Sequence, residues 1–246
     1  MKKIIFLLVV GVMLLGNVFP LSAQILNGSF TNGFTDWNIV GGSSGEPQVV
    51  TSDATPPTGS TAALVQSTNE DQSLSISASA ATLDAALGVT LPATYDGNIL
   101  DPTYGQSFPA VNGQAIYQTF TLASEATLSF AYSYQTNDYY PYDATGYVLD
   151  GVYTPLVITP AYTGAVNSTP TAYAVIPPQP SLVLGAGSHT LAFVAYNTGG
   201  HSDSTSLYVT DVSTTAAVPE PSEWTLMLLA CVGLILVRKL RRAFST

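Results

Sequence analysis

Between Gln24 and Ala217 the chain has no lysine and no arginine. Its six basic residues are Lys2, Lys3, Arg238, Lys239, Arg241 and Arg242, whereas fourteen of its sixteen Asp and Glu fall inside that interval, Glu220 and Glu223 being the other two. A body of one sign repels nucleic acid, anionic lipid and acidic polysaccharide unless divalent cations bridge them. Neutral glycans, or acidic ones bridged by calcium, remain as polymeric partners. Cysteine is nearly absent too. Cys231 stands alone, so no intramolecular disulfide can brace the fold and the core must hold it. Histidine is limited to His189 and His201, which leaves little material for a base or a zinc site. Long apolar runs occur only at the two ends.

The front end reads as a targeting segment. Lys2-Lys3, the apolar stretch Ile4 to Leu15 and the small-residue site Leu21-Ser22-Ala23 follow the order of a secretory signal peptide, with Gln24 first after cleavage by signal peptidase. The stretch is shorter than the roughly 20 residues of a span, which favours a cleaved signal over a retained anchor.

The rear end has a different layout. Val218-Pro219-Glu220-Pro221 precedes the apolar run Trp224 to Val237, and Arg238-Lys239-Leu240-Arg241-Arg242 closes it. Fourteen helical residues rise about 21 Å against a hydrocarbon core of about 30 Å, so this transmembrane helix would be a marginal anchor. The terminal cations place its C-terminus in the cytoplasm and the acidic body outside.

These three elements, in this order, resemble the PEP-CTERM sorting signal of Gram-negative bacteria that make exopolysaccharide. The resemblance implies recognition by an exosortase, a membrane-embedded cysteine transpeptidase that acts near Pro219-Glu220-Pro221. It also implies inner-membrane anchoring in transit, then release or re-anchoring at the cell surface or in the extracellular matrix. It covers about the last tenth of the chain.

The stretch 24–212 has the size of one β-sandwich, with a small-residue linker, 213–217, before the tail of 218–246. Ile116, Phe120 and Leu122 share a parity, as do Leu128, Phe130, Tyr132 and Tyr134. With Ala123-Ser124-Glu125 between them, these two runs predict a hairpin. Leu191, Phe193 and Ala195, then Leu207, Val209 and Asp211, repeat the alternation. Shorter strands are expected at Asn38–Gly41, Gln48–Thr51, Ala62–Gln66 and Ser73–Ser77. One helix is expected at Ala80–Leu87, with Leu83 and Leu87 on one face and Gly88 as its C-cap. Pro92–Asn112 reads as a long loop.

Leu26-Asn27-Gly28-Ser29-Phe30 with Trp37, the runs Gly113–Leu122, Thr127–Tyr132 and Gly187–Phe193, and the closing Ser206–Ser213 resemble, in order, the strands of galactose-binding-like jelly rolls. The fold class expected is therefore all-β, an antiparallel sandwich. The resemblance also implies a structural calcium between first and last strands, with Asp211 in the place of a terminal acidic ligand. Thr31 and Thr210 stand where that family has acidic partners.

Gly41-Gly42-Ser43-Ser44-Gly45 satisfies G-x-S-x-G, but a nucleophile elbow needs a strand before it and a helix after it. A Gly/Ser turn between strands fits better, and the chain is expected not to be an enzyme. Binding has two candidate groups. Tyr139, Tyr140 and Tyr142 with Asn137 place flat amphipathic rings and an amide in one loop, suited to stacking on a sugar ring; the alternative is that they cover a sheet edge. Asp138, Asp143, Asp203 and Asp211 are hard oxygen donors of the kind calcium takes. The expected function is an exported, sorted surface or matrix protein that binds exopolysaccharide in biofilm. The alternatives are a structural component without a specific ligand and, behind it, a glycan hydrolase.

Overall fold

The computed structural model describes residues 24–42, 47–51, 60–67, 77–95, 107–136, 143–156, 182–198, 205–216 and 232–233. The chain divides into two compact units, 1–215 and 216–246. Of the second, Ala216, the last residue of a strand, and Val232 and Gly233, both helical, are described, and all three are exposed. No helix among the described residues is long and apolar enough to cross a membrane. The expected signal peptide of 1–23 and nearly all of the expected span 224–237 lie outside the described residues.

The first unit is an antiparallel β-sandwich. One sheet has the order β1 (Asn38–Val40), β7 (Ala110–Leu122), β12 (Gly187–Thr198), β9 (Asp143–Leu149), β10 (Val152–Pro155), with the short β4 (Ala78–Ser79) also paired to β7. The other runs β11 (Leu182–Leu184), β8 (Ala126–Thr136), β13 (Thr205–Ala216), β3 (Thr61–Gln66), β2 (Gln48–Thr51). Thr94–Tyr95 (β5) and Ser107–Phe108 (β6) form a separate ribbon. The expected loop of 92–112 thus contains this ribbon and the first residues of β7.

β12 shows how the sequence builds the layers. Leu191, Phe193 and Ala195 enter the interior between the sheets, while Ala192, Val194 and Tyr196 enter a second core on the outer face of the same sheet. A strand buried on both faces reads as a continuous apolar run. The second core is capped by a helix, α1 (Ala80–Leu87), which has the bounds the sequence predicts. Its N-cap Ser79 accepts from the Thr82 N–H at 3.3 Å, and Gly88 ends it in the left-handed region at φ 66°. Leu83 and Leu87 are its buried face. Because eight residues make a marginal helix in isolation, this packing holds it.

The main core is aromatic. Phe34, Phe30, Trp37, Phe193, Phe130 and Tyr147 form a chain of ring contacts with centroid separations between 4.9 and 6.2 Å. Each such pair adds roughly 0.5–1.5 kcal/mol beyond burial. Tyr132 joins this core and donates its hydroxyl to the Leu156 carbonyl at 2.9 Å, the core role its parity predicts.

Four sequence expectations are corrected. β7 and β8 do not form a hairpin: they belong to opposite sheets, and Ala123–Glu125 crosses between them. The apolar faces of Phe120 and Leu122 and of Leu128 and Phe130 meet through the interior instead of lying side by side. Residues 26–36 form turns, not a strand, and β1 begins only at Asn38. β13 runs on to Ala216, through most of the expected linker. Asp211 does not continue the inward alternation: it is exposed at φ 54°, and Val212 takes the inward position. The alternation slips by one residue at this left-handed position, which returns the following side chain to the core. Of the expected strand at Ser73–Ser77, only Ser77 is among the described residues, and it is a bend.

Candidate functional site

The interior of the sandwich changes character at one end. On the inward parity of β7, residues 116, 120 and 122 are apolar, but Asn112 and Gln114 are amides and both are buried. Asn197 on β12 stands opposite Asn112 on one side and Asp143 of β9 on the other. Thr145 follows on β9 one inward position further in, opposite Ala195. The facing sheet contributes Ser67 and Thr205, locked by Ser67 N–H to the Thr205 carbonyl at 2.9 Å and Thr205 N–H to Ser67 Oγ at 2.8 Å. Gln114 ties the two sheets, its Oε1 accepting from the Gln66 N–H at 3.2 Å.

Burying such groups costs about 1–3 kcal/mol each where bonds are not made. One hydroxyl goes without: Thr145 is 2% exposed, and its Oγ1 has no partner among the described residues. The buried side chains of this end are amides and hydroxyls.

The candidate residues of the sequence relate to this end through their strands. Asn137, Asp138, Tyr139, Tyr140 and Tyr142 lie outside the described residues, but the strands on either side, β8 ending at Thr136 and β9 starting at Asp143, both terminate here. Asp203 and His201 likewise lie outside the described residues, and the strands on either side, β12 ending at Thr198 and β13 starting at Thr205, terminate at this end. Two segments far apart in sequence therefore depart from one polar end. Asp211 is not brought to it, since six residues of strand separate it from Thr205, about 20 Å at 3.3 Å per residue. The described residues contain no group of three His, Cys, Asp or Glu side chains. A calcium shell is not assembled among them, and Asp138 and Asp203, which would have to complete one, lie beyond. Val218, Pro219, Glu220, Pro221, Arg238, Lys239, Arg241 and Arg242 also lie outside. Asn112, Gln114, Thr145, Asn197, Ser67 and Thr205 escaped the sequence reading. Their signal was there: polar residues on the apolar parity of strands.

The opposite end is organised around the N-terminal segment. Gln118, 5% exposed, donates Nε2 to the carbonyls of Leu26 at 3.0 Å and Asp36 at 2.8 Å, and its Oε1 accepts from the Leu26 N–H at 2.9 Å. Asn27 donates to the carbonyls of Gly33 and Thr35, which shapes the turns of 27–36. Gly28 presses on β13, where a Cβ would fall 1.8 Å from the Val212 carbonyl oxygen, and its own carbonyl accepts from the Val212 N–H. His189 is held here as well. Nδ1 is 2.8 Å from Asp150 Oδ2 and Nε2 is 3.0 Å from the Gly185 carbonyl, with the Phe120 ring at 5.8 Å. Both ring nitrogens face acceptors, so the doubly protonated ring satisfies both. The Asp150 hydrogen bond raises the His189 pKa above its usual value, partial burial opposes it, and the Gly185 carbonyl adds to the rise. Asp150 and Gly185 thus hold the His189 ring in place and favour its protonated form. Gly41 and Gly42 of the G-x-S-x-G string follow β1 at φ 94° and 104°, and β2 comes next, so no helix follows in the described residues.

The chain matches no protein-family model and no curated protein. Among solved structures it is similar to TmCBM61 in complex with β-1,4-galactotriose, at 11% identity and a TM-score of 0.33 over 78% of this chain and 97% of that one. It is also similar to the K3 cleaved adhesin domain of Lys-gingipain from Porphyromonas gingivalis W83, at 14% identity and a TM-score of 0.33 over 79% and 100%. A cycloisomaltooligosaccharide glucanotransferase from Paenibacillus follows at 17% identity and a TM-score of 0.24, over 58% of this chain and 19% of that one. The site therefore rests on its own residues.

Proposed function

We propose that this chain is an exported, non-enzymatic surface or matrix protein whose galactose-binding-like sandwich binds extracellular polysaccharide at its polar end. The observation that carries this reading is the buried set of Asn112, Gln114, Thr145, Asn197, Ser67 and Thr205 beneath the departure points of the segments bearing Tyr139–Tyr142 and Asp203. Gln114, Ser67 and Thr205 are spent on hydrogen bonds that join and fix the sheets, so this polar set shapes the end of the sandwich, and the segments that leave it are the proposed contact with glycan. Tyr139, Tyr140 and Tyr142 supply the stacking surface, with Asn137 as a hydrogen-bonding edge. The net negative body selects neutral glycans, or acidic ones bridged by calcium. Delivery follows the sequence: signal peptidase releases Gln24, and exosortase acts at Val218–Pro221 after the C-terminal helix has held the chain in the membrane.

The test is a glycan array with the mature protein, with calcium and with EDTA, beside the double variant Tyr139→Ala/Tyr140→Ala. Binding that the variant loses supports the reading. No binding under either condition overturns it and leaves a structural matrix component. Release of reducing ends from the host's exopolysaccharide would replace it with a hydrolase.

A further inference from the structure

We infer that export creates a modification site at Gln24, whose new α-amine closes on its own side chain to form an N-terminal pyroglutamate. The inference rests on the export reading, because the amine exists only after cleavage behind Ala23. The structure supplies the geometry. Ile25 is buried in the main core at 4% exposure, and both backbone polar groups of Leu26 are clasped by Gln118. The fold thus anchors the chain from the second residue of the mature protein onward. Gln24 itself is exposed, and its side chain makes no hydrogen bond among the described residues. It borders an open groove of about 340 Å³ with Asp36, Gln118 and Phe120 on its walls, so the side chain has room to fold back upon its own nitrogen.

The step is an intramolecular aminolysis. The uncharged α-amine attacks Cδ of Gln24, the N–Cδ bond forms, the Cδ–Nε2 bond breaks, and the amine's proton leaves with Nε2 as ammonia. No oxidant or further reactant is consumed. An α-amino group has a pKa of about 8, so a useful fraction is uncharged near neutrality. Asp36 is the carboxylate that lines the same groove, and a carboxylate near the amine would favour its charged form and so compete with closure. Closure removes the only amine that cleavage gives the domain, since Gln24 to Ala217 contains no lysine. The product has no amine for an aminopeptidase to engage.

The full chain is expressed in a Gram-negative host and recovered after export, and the N-terminal peptide is analysed by mass spectrometry with Gln24→Ala as the unblocked control. A peptide beginning at Gln24 and lighter by one ammonia, opened by pyroglutamyl aminopeptidase, is expected. A peptide beginning at Gln24 with a free amine at full mass overturns the inference and leaves the export reading standing. A peptide that begins elsewhere, or an uncleaved chain, overturns the cleavage on which both depend. Asp36→Asn is expected to close faster; slower closure would remove Asp36 as the competing anion.

Discussion

Replacing Gln118 by leucine tests whether a single buried amide holds the N-terminal segment in place. The volume stays similar, so the cavity contribution is small and the hydrogen bonds dominate. Three are lost, at 2.9, 3.0 and 2.8 Å. The Leu26 carbonyl keeps a second donor, Trp37 Nε1 at 3.2 Å, which leaves the Leu26 N–H and the Asp36 carbonyl without partners. Leu26 is half exposed and water reaches part of the deficit, so each orphan costs about 1 kcal/mol, at the low end of the usual range. The sum is about 2 kcal/mol. For a domain of this size that lowers the melting temperature by roughly 4–8 °C. The assay is thermal unfolding of the mature protein followed by tryptophan fluorescence, since Trp37 is buried between Phe30 and Phe193. Gln118→Glu makes the test directional. A carboxylate there still accepts from Leu26 but meets two carbonyls that it cannot bond, so it should cost more than leucine. A melting temperature unchanged in the leucine variant, or a glutamate variant as stable as the parent, would refute the clasp.

Three further predictions follow from the described geometry. The His189 pKa is raised in the fold, so its stabilisation is complete below the unfolded value near 6.5 and is lost as pH rises through the folded value. His189→Gln should therefore cost about 1 kcal/mol at mildly acidic pH and little in alkali, because Asp150 is 44% exposed and the pair is partly screened. Urea midpoints of both proteins across that range check this, and a difference that does not change with pH would sink it. Gly113→Ala should destabilise by about 3 kcal/mol or more: its Cβ would lie 2.2 Å from the Ala195 carbonyl oxygen and 2.7 Å from Tyr196 Cα, so β7 and β12 must separate. A chemical denaturation curve that matched the parent would show that the strands can move apart freely. Thr145→Val removes a buried hydroxyl that lacks a partner, so it should leave stability equal or slightly higher while weakening glycan binding. Loss of stability with binding intact would make Thr145 a packing residue only.

Elements governed by local rules were legible. α1 is bounded by a serine cap and a left-handed glycine, and its two leucines sit one turn apart, so eight residues carry their own start, stop and buried face. β2 at Gln48–Thr51 and the alternations of β7, β8 and β12 were equally local. What failed was partnership. The short connection at Ala123–Glu125 looks like a hairpin turn, yet the same residues serve a crossing between sheets, and parity cannot distinguish the two. The turn region 26–36 failed for a related reason. Its conformation is fixed by Gln118 and Val212, which lie far along the chain. Tyr139–Tyr142 and Asp203 were chosen by residue type alone, and the buried amides beneath their end of the sandwich went unnoticed because a polar residue in a strand usually faces water.

The absence of lysine and arginine across Gln24 to Ala217, the single Cys231 and the apolar ends were decided by sequence alone, because charge and composition do not depend on how the chain is folded. They set the sign of the field, the kinds of polymer repelled and the need for a core without disulfides. Only the tertiary structure decided that Asn112, Gln114, Asn197, Thr145, Ser67 and Thr205 share one interior end and that Asp211 stands about 20 Å along its strand from Thr205. It alone set His189 between two acceptors, Asp150 and the Gly185 carbonyl. A side chain's surroundings are set by cross-strand register and sheet pairing, and these join residues a hundred positions apart.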